Sequence, residues 1–179
     1  MQLIENIGFL FYPLCLFSIF GMTIIIERMI FFARLKKSPN NNFMQQISQI
    51  LQKNQNLSKE LRDEAVTFKI LQIKEQFEYG IYSLRIIGVL SPMIGLLGTV
   101  IGMIKAFKII AQQNSPVVPA MIAEGLWNAM LTTAYGLIIA IPALLSAFIF
   151  LRISERFIAK LQNHANLESF KIAKVKIDD

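Results

Sequence analysis

The sequence predicts an all-α integral membrane protein with three transmembrane helices, two of them long and continuing into the cytoplasm. Three observations carry this reading. Hydrophobic residues make up 54% of the 179, phenylalanine alone occurs 14 times, and the mean hydropathy is +0.50. Charge is absent from Asn6–Ile26, Ile86–Ile104 and Gly125–Leu151, runs of 21, 19 and 27 residues. About 20 residues cross a hydrocarbon core of about 30 Å, so each run is a span or close to one. Finally, lysine and arginine are placed one-sidedly around those runs. A chain of this length cannot wrap three such helices on every side, which excludes a soluble bundle.

The first span is expected over about 6–26. Its first Lys or Arg is Arg28, after the apolar residues, and no small-x-small cleavage site follows, so it reads as a retained span rather than a cleaved leader. A helical cytoplasmic segment is expected over 33–84. After the turn signal Ser38-Pro39-Asn40-Asn41-Asn42, Phe43, Ile47, Ile50 and Leu51 recur at helical spacing. Ser58 is placed to cap a second helix, with Glu60 in its first turn. Leu61, Ala65, Phe68, Ile70, Ile73, Phe77, Ile81 and Leu84 then carry the apolar pattern forward. That predicts one helix running unbroken from cytoplasm into the second span, about 86–104. The third span, about 122–151, is longer than a bilayer needs, and its pattern extends over Arg152–Gln162 into a cytoplasmic tail, 152–179.

Residues 1–6 and Ala111–Ala123 carry no Lys or Arg, whereas Glu27–Arg85 carries ten and the tail from Arg152 carries six. Only Lys105 and Lys108, at the outer end of the second span, oppose this. The positive-inside rule therefore puts the N-terminus outside, and Glu27–Arg85 and the C-terminus in the cytoplasm. The net charge of +6 reads as this topology signal plus attraction to anionic lipid, not as a nucleic-acid footprint. One cysteine, Cys15, cannot close a disulfide within the chain. His164 reads as solvated, and Trp127 and Tyr135 as interfacial or packing aromatics. No HExxH, CxxC, GxSxG or phosphate-loop pattern occurs, so neither an enzyme, a metal site nor a cofactor is expected.

Small residues interrupt the apolar spans. On the second, Ser91, Gly95, Thr99 and Gly102 share a face with Gly98 beside them; on the third, Gly125, Ala129, Thr133, Gly136, Ala140, Ala143 and Ala147 form a longer stripe. Helices in lipid associate where small residues let backbones approach, so plain packing explains the glycines. The polar groups Thr99, Asn128, Thr132 and Thr133 also need partners where there is no water. Packing and a polar path both stay open on spacing alone. Pro142 frees the carbonyl of Ile138 and Pro92 that of Gly88, marking kinks or local polar sites. Neither Ile86–Ile104 nor Gly125–Leu151 contains a titratable Asp, Glu, Lys, Arg or His. Proton carriers normally place such a group at membrane depth. This chain can line a path, and another chain must supply the carrier.

GLLGTVIGMIKAF (Gly95–Phe107) followed by NAMLTTAYGLIIAIPALL (Asn128–Leu145) resembles the MotA/TolQ/ExbB proton-channel family, and the Glu27-Arg28 pair closing the first span matches a family habit. The likeness is strong over Ile86–Arg156 and architectural before that. Three spans and compact size look like an ExbB- or TolQ-type subunit rather than a four-span MotA-type one. The resemblance implies a homopentamer of long helices in the bacterial inner membrane. Its pore would hold helices of an ExbD- or TolR-type partner that brings a transmembrane aspartate. Proton flow would then drive a TonB-type protein for outer-membrane import, or a TolA-type one for envelope maintenance. On this alignment Thr99 and Thr133 are pore threonines, with Asn128 and Thr132 beside them. Gly95, Gly98, Gly102, Ala129, Gly136, Ala140, Pro142 and Ala143 serve helix packing and partner-helix contact. The sequence departs from many relatives at Asn128, where they carry a glutamate; Glu124, one turn earlier, could replace it only electrostatically. A lone transporter would show repeats and a charged midplane site, and a pure scaffold would tolerate valine at its threonines.

Overall fold

A computed structural model describes residues 10–37, 41–112 and 119–173, all but a few of them helical. Five helices follow in order: α1 (Phe11–Lys37), α2 (Asn41–Lys53), α3 (Lys59–Glu78), α4 (Ile81–Ala111) and α5 (Pro119–Ile172). Of the expected turn over Ser38–Asn42, Asn41 and Asn42 already belong to α2; Ser38–Asn40, the outer connection around Gln113, the end of the tail and the start of the first span lie outside the described residues. Three helices are long and apolar enough to cross a membrane, over Phe11–Leu35, Ile81–Ala111 and Gly125–Ile172. The 54 residues of α5 measure about 80 Å, far more than a hydrocarbon core requires. Both long helices run through their prolines, Pro92 in α4 and Pro142 in α5.

The chain forms two compact units. One combines Met1–Ile26 with Tyr82–Ala147, so it holds most of the apolar spans. Its α4 and α5 run antiparallel with backbones nearly touching. A Cβ added at Gly136 would meet the carbonyl oxygen of Ser91 at 2.6 Å, and one at Gly95 would meet Thr133 Cα at 2.9 Å. Gly102 lies against Ala129, Gly88 against Leu144, and Gly125 against Ala106. Along this unit Ser91, Ala129, Ala140, Ala143 and Ala147 are buried, while Leu96, Ile104, Ile138, Ile141 and Leu145 are exposed on the opposite faces. Small residues inward and large ones outward is the arrangement expected where lipid, not water, surrounds the helices.

The other unit combines Glu27–Ile81 with Phe148–Asp179. Its core is aromatic: Phe77 stacks on Phe157 at 4.7 Å, Phe32 stacks on Phe150 at 5.4 Å, and Phe31 and Phe43 meet Phe77 edge-on. Ile47 and Leu51 of α2 and Ile73 of α3 are completely or almost completely buried with it. Ser58 caps α3 by accepting from the Leu61 amide, as the sequence predicts.

One expectation is corrected. The apolar pattern predicts an unbroken helix from Ser58 into the second span, yet α3 stops at Glu78 and α4 starts at Ile81. Gly80 adopts φ 79°, a left-handed conformation that ends a helix at little cost only for a residue without Cβ. The last carbonyls of α3 are taken up by Arg28 of α1. Its buried guanidinium donates to the Gln76 oxygen at 3.1 Å and the Phe77 oxygen at 3.4 Å, and pairs with Glu27 at 2.8 Å. A cation at a helix C-terminus also offsets the helix dipole.

Candidate functional site

The hydroxyls of the membrane-spanning unit have unequal surroundings. A threonine inside a helix usually satisfies its hydroxyl on a carbonyl of the preceding turn. Thr23 does so on Ile19 at 2.8 Å, Ser91 on Ile87 at 2.6 Å and Thr99 on Leu96 at 2.7 Å. Thr132 is buried, is engaged by a polar interaction, and lies where a side chain at Gly98 would strike it. Thr133 differs from all of these. Its Oγ1 is buried and has no hydrogen-bond partner among the described residues. Such an orphan typically costs about 1–3 kcal/mol and calls for a functional explanation.

The seam brings Thr132, Thr133, Ala129 and Gly136 of α5 against Gly95, Gly98 and Gly102 of α4. Gly98, which the sequence places only beside the small face, lies within the seam itself. Thr99 stands at its edge, partly buried. Ala140 and Ala143 continue the buried stripe along α5, and Pro142 points outward from it. Asn128 and Glu124 belong to α5, but their side chains lie outside the described ones. Chemically, the site offers one hydroxyl, uncommitted among the described residues and able to donate and accept, beside glycines that let α4 and α5 approach backbone to backbone. It contains no group that titrates near neutral pH.

The small residues mark the seam in the sequence, whereas no local pattern there marks the structural roles of Arg28, Arg62 or Ser154. Arg62 and Ser154 are buried in the second unit, where Arg62 donates to Ser169 Oγ at 3.3 Å and that hydroxyl donates to Asp63 at 2.6 Å. The Glu27-Arg28 pair is visible there only as the close of the first span. Among the described residues, no three His, Cys, Asp or Glu side chains gather as metal ligands would.

Three apolar spans and a seam of glycines that brings two of them backbone to backbone define a helical integral membrane protein. The chain belongs to the MotA/TolQ/ExbB proton channel family, whose sequence model matches residues 34–163. It is 42% identical over 108 residues to the biopolymer transport protein exbB1 of Vibrio cholerae, covering 60% of this chain and 47% of that one. It is 35% identical over 105 residues to the biopolymer transport protein ExbB of Neisseria gonorrhoeae, covering 59% and 45%. The Tol-Pal system protein TolQ of Pseudomonas aeruginosa is 32% identical over 102 residues, covering 57% and 44%. The chain thus spans a little under half the length of these relatives.

Proposed function

We propose that this protein is a proton-channel subunit of an inner-membrane energy-transducing complex. Copies of it, five in the reading we favour, surround transmembrane helices of an ExbD- or TolR-type partner. The partner contributes an aspartate, and the chain contributes the hydroxyls that solvate it. The observation that carries this reading is the buried Thr133 hydroxyl, unpartnered among the described residues, in the charge-free runs Ile86–Ile104 and Gly125–Leu151. A hydroxyl can donate to a carboxylate and accept from a carboxylic acid, so it suits a group that changes protonation state in place. Thr99, Thr132 and Asn128 extend the polar lining. Gly95, Gly98, Gly102, Ala129, Gly136, Ala140 and Ala143 shape the packed surface beside it, and Pro142, on the outward face of the same helix, is left for contact with a partner helix.

The complex would drive a TonB-type protein for outer-membrane nutrient import; a TolA-type protein of a Tol-Pal system is the second reading, favoured by the likeness to TolQ. In either system the N-terminus is periplasmic and the C-terminus cytoplasmic, following the excess of Lys and Arg in Glu27–Arg85 and after Arg152. Orientation is tested with Cys15 replaced by serine and single cysteines placed at Asn42 and Gln113 in intact cells. An impermeant maleimide is expected to label Gln113→Cys and leave Asn42→Cys unlabelled. Labelling at Asn42 would invert the topology and remove the proposed direction of proton flow.

A further inference from the structure

Two faces of the second unit stand open, and their chemistry is complementary. On α3 the buried side carries Arg62, Val66, Ile70, Ile73 and Phe77. The opposite side exposes Leu61, Phe68 and Leu71, each more than half accessible, interleaved with the exposed carboxylates Glu60, Glu64 and Glu75. Lys59, Lys69 and Lys74 fall at other angles of the helix, so this strip is apolar and acidic only. On α5 the buried side carries Phe150, Ser154, Phe157, Leu161 and Ala165. Its opposite side exposes Arg152, Arg156 and Lys160 on successive turns, followed by Asn163, Leu167 and Lys171.

We infer that the acidic α3 strip of one copy packs on the basic α5 strip of the next, forming a contact between copies outside the bilayer. Lipid alone would not cover both faces. Three carboxylates oppose an anionic membrane surface, and Arg152 to Lys171 extends about 28 Å along the helix, well past a headgroup layer. Pairing a face with its own copy would set acid on acid or base on base. The contact therefore joins unlike faces, and repeated about an axis it closes into a ring.

The register follows from packing within one copy. Phe77 stacks on Phe157 and Arg62 reaches Ser169, so α3 and α5 are antiparallel with known levels. This rests on the three-span reading, which puts the ring axis along the membrane normal, so residues meet across copies at their own depth. Glu75 then meets Arg156, Phe68 and Leu71 meet the Lys160–Leu167 stretch, and Glu60 or Glu64 meets Lys171. The apolar side chains supply the adhesion, while the charges set direction and register.

The test uses the full chain in membranes with Cys15→Ser. A short bismaleimide is expected to convert the Glu75→Cys/Arg156→Cys double variant into a ladder of multimers, whereas either single variant stays monomeric. Dimers from Glu75→Cys alone would overturn the unlike-face contact. So would absence of a ladder while native mass spectrometry shows the double variant still oligomeric. Charge reversal provides the second reading. Glu75→Arg is expected to lower the oligomeric fraction about two- to fivefold, and adding Arg156→Glu to restore it. No rescue would count against the pairing. A wild-type chain that is monomeric in the same spectra would instead refute the homo-oligomer reading, and the contact with it.

Discussion

Gly136→Ala is expected to destabilise the membrane-spanning unit severely, and Gly136→Leu to prevent it from forming. The added Cβ would lie 2.6 Å from the Ser91 carbonyl oxygen and within 3.3 Å of Gly95 Cα. Both are backbone atoms of α4, so neither can swing aside as a side-chain tip could. Either the two helices separate along their length or the carbonyl shifts and strains its own helix. Overpacking of this kind costs about 1–3 kcal/mol or more, and it exceeds the roughly 1 kcal/mol of helix propensity that alanine would add. Gly21 is the matched control. A Cβ there meets only the Ile87 side chain at 3.7 Å, an ordinary contact, so Gly21→Ala should be neutral or slightly stabilising. Thermal unfolding in detergent separates the two. A Gly136→Ala melting temperature equal to wild type would show that the seam is looser than its geometry.

Thr133→Val should reverse that pattern, with stability kept and function lost. Valine reproduces the threonine's shape, and the hydroxyl it deletes is buried without a partner among the described residues, so folding should be unaffected or slightly favoured. If that hydroxyl solvates a partner's carboxylate, its loss removes a hydrogen bond to a charged group at the moment the charge changes. Such a bond is worth about 1.5–3 kcal/mol, or roughly ten- to a hundredfold in rate. Thr132→Val should do the opposite: its side chain is engaged within the chain, so the cost falls on stability, about 1 kcal/mol, and activity suffers less. Growth that depends on the energised complex, measured with the abundance of that complex, reads both effects. Full growth with Thr133→Val would remove the residue from the proton path.

The spans, the α3 cap and the small-residue stripes were legible because hydropathy, capping and helical spacing are local properties of the chain. The break at Tyr79–Gly80 was not, because Phe77, Ile81 and Leu84 keep the apolar spacing across it, and the departure from helix is confined to Tyr79, with ψ 130°, and Gly80, with φ 79°. A lone glycine in such a pattern is weak evidence without knowing what receives the freed carbonyls. Here the receiver is Arg28, 48 residues away from Gln76, a distance no sequence window spans. Spacing put Thr133 on the small-residue stripe and Thr132 beside it, but it did not tell which hydroxyl stays uncommitted. Thr132 lies against Gly98 and Thr133 keeps an unused hydroxyl, a difference set by where α4 packs rather than by either residue's neighbours in sequence.

The decisive measurement is proton flux into liposomes across an imposed pH gradient, followed by an internal pH dye. The chain is reconstituted alone, with an aspartate-bearing partner helix, and with that partner after Thr133→Val. Flux is expected only when chain and partner are together, and to fall about ten- to a hundredfold with Thr133→Val. Equal flux from the chain alone, or undiminished flux with Thr133→Val, would contradict a path in which this chain supplies the hydroxyls and its partner the carboxylate.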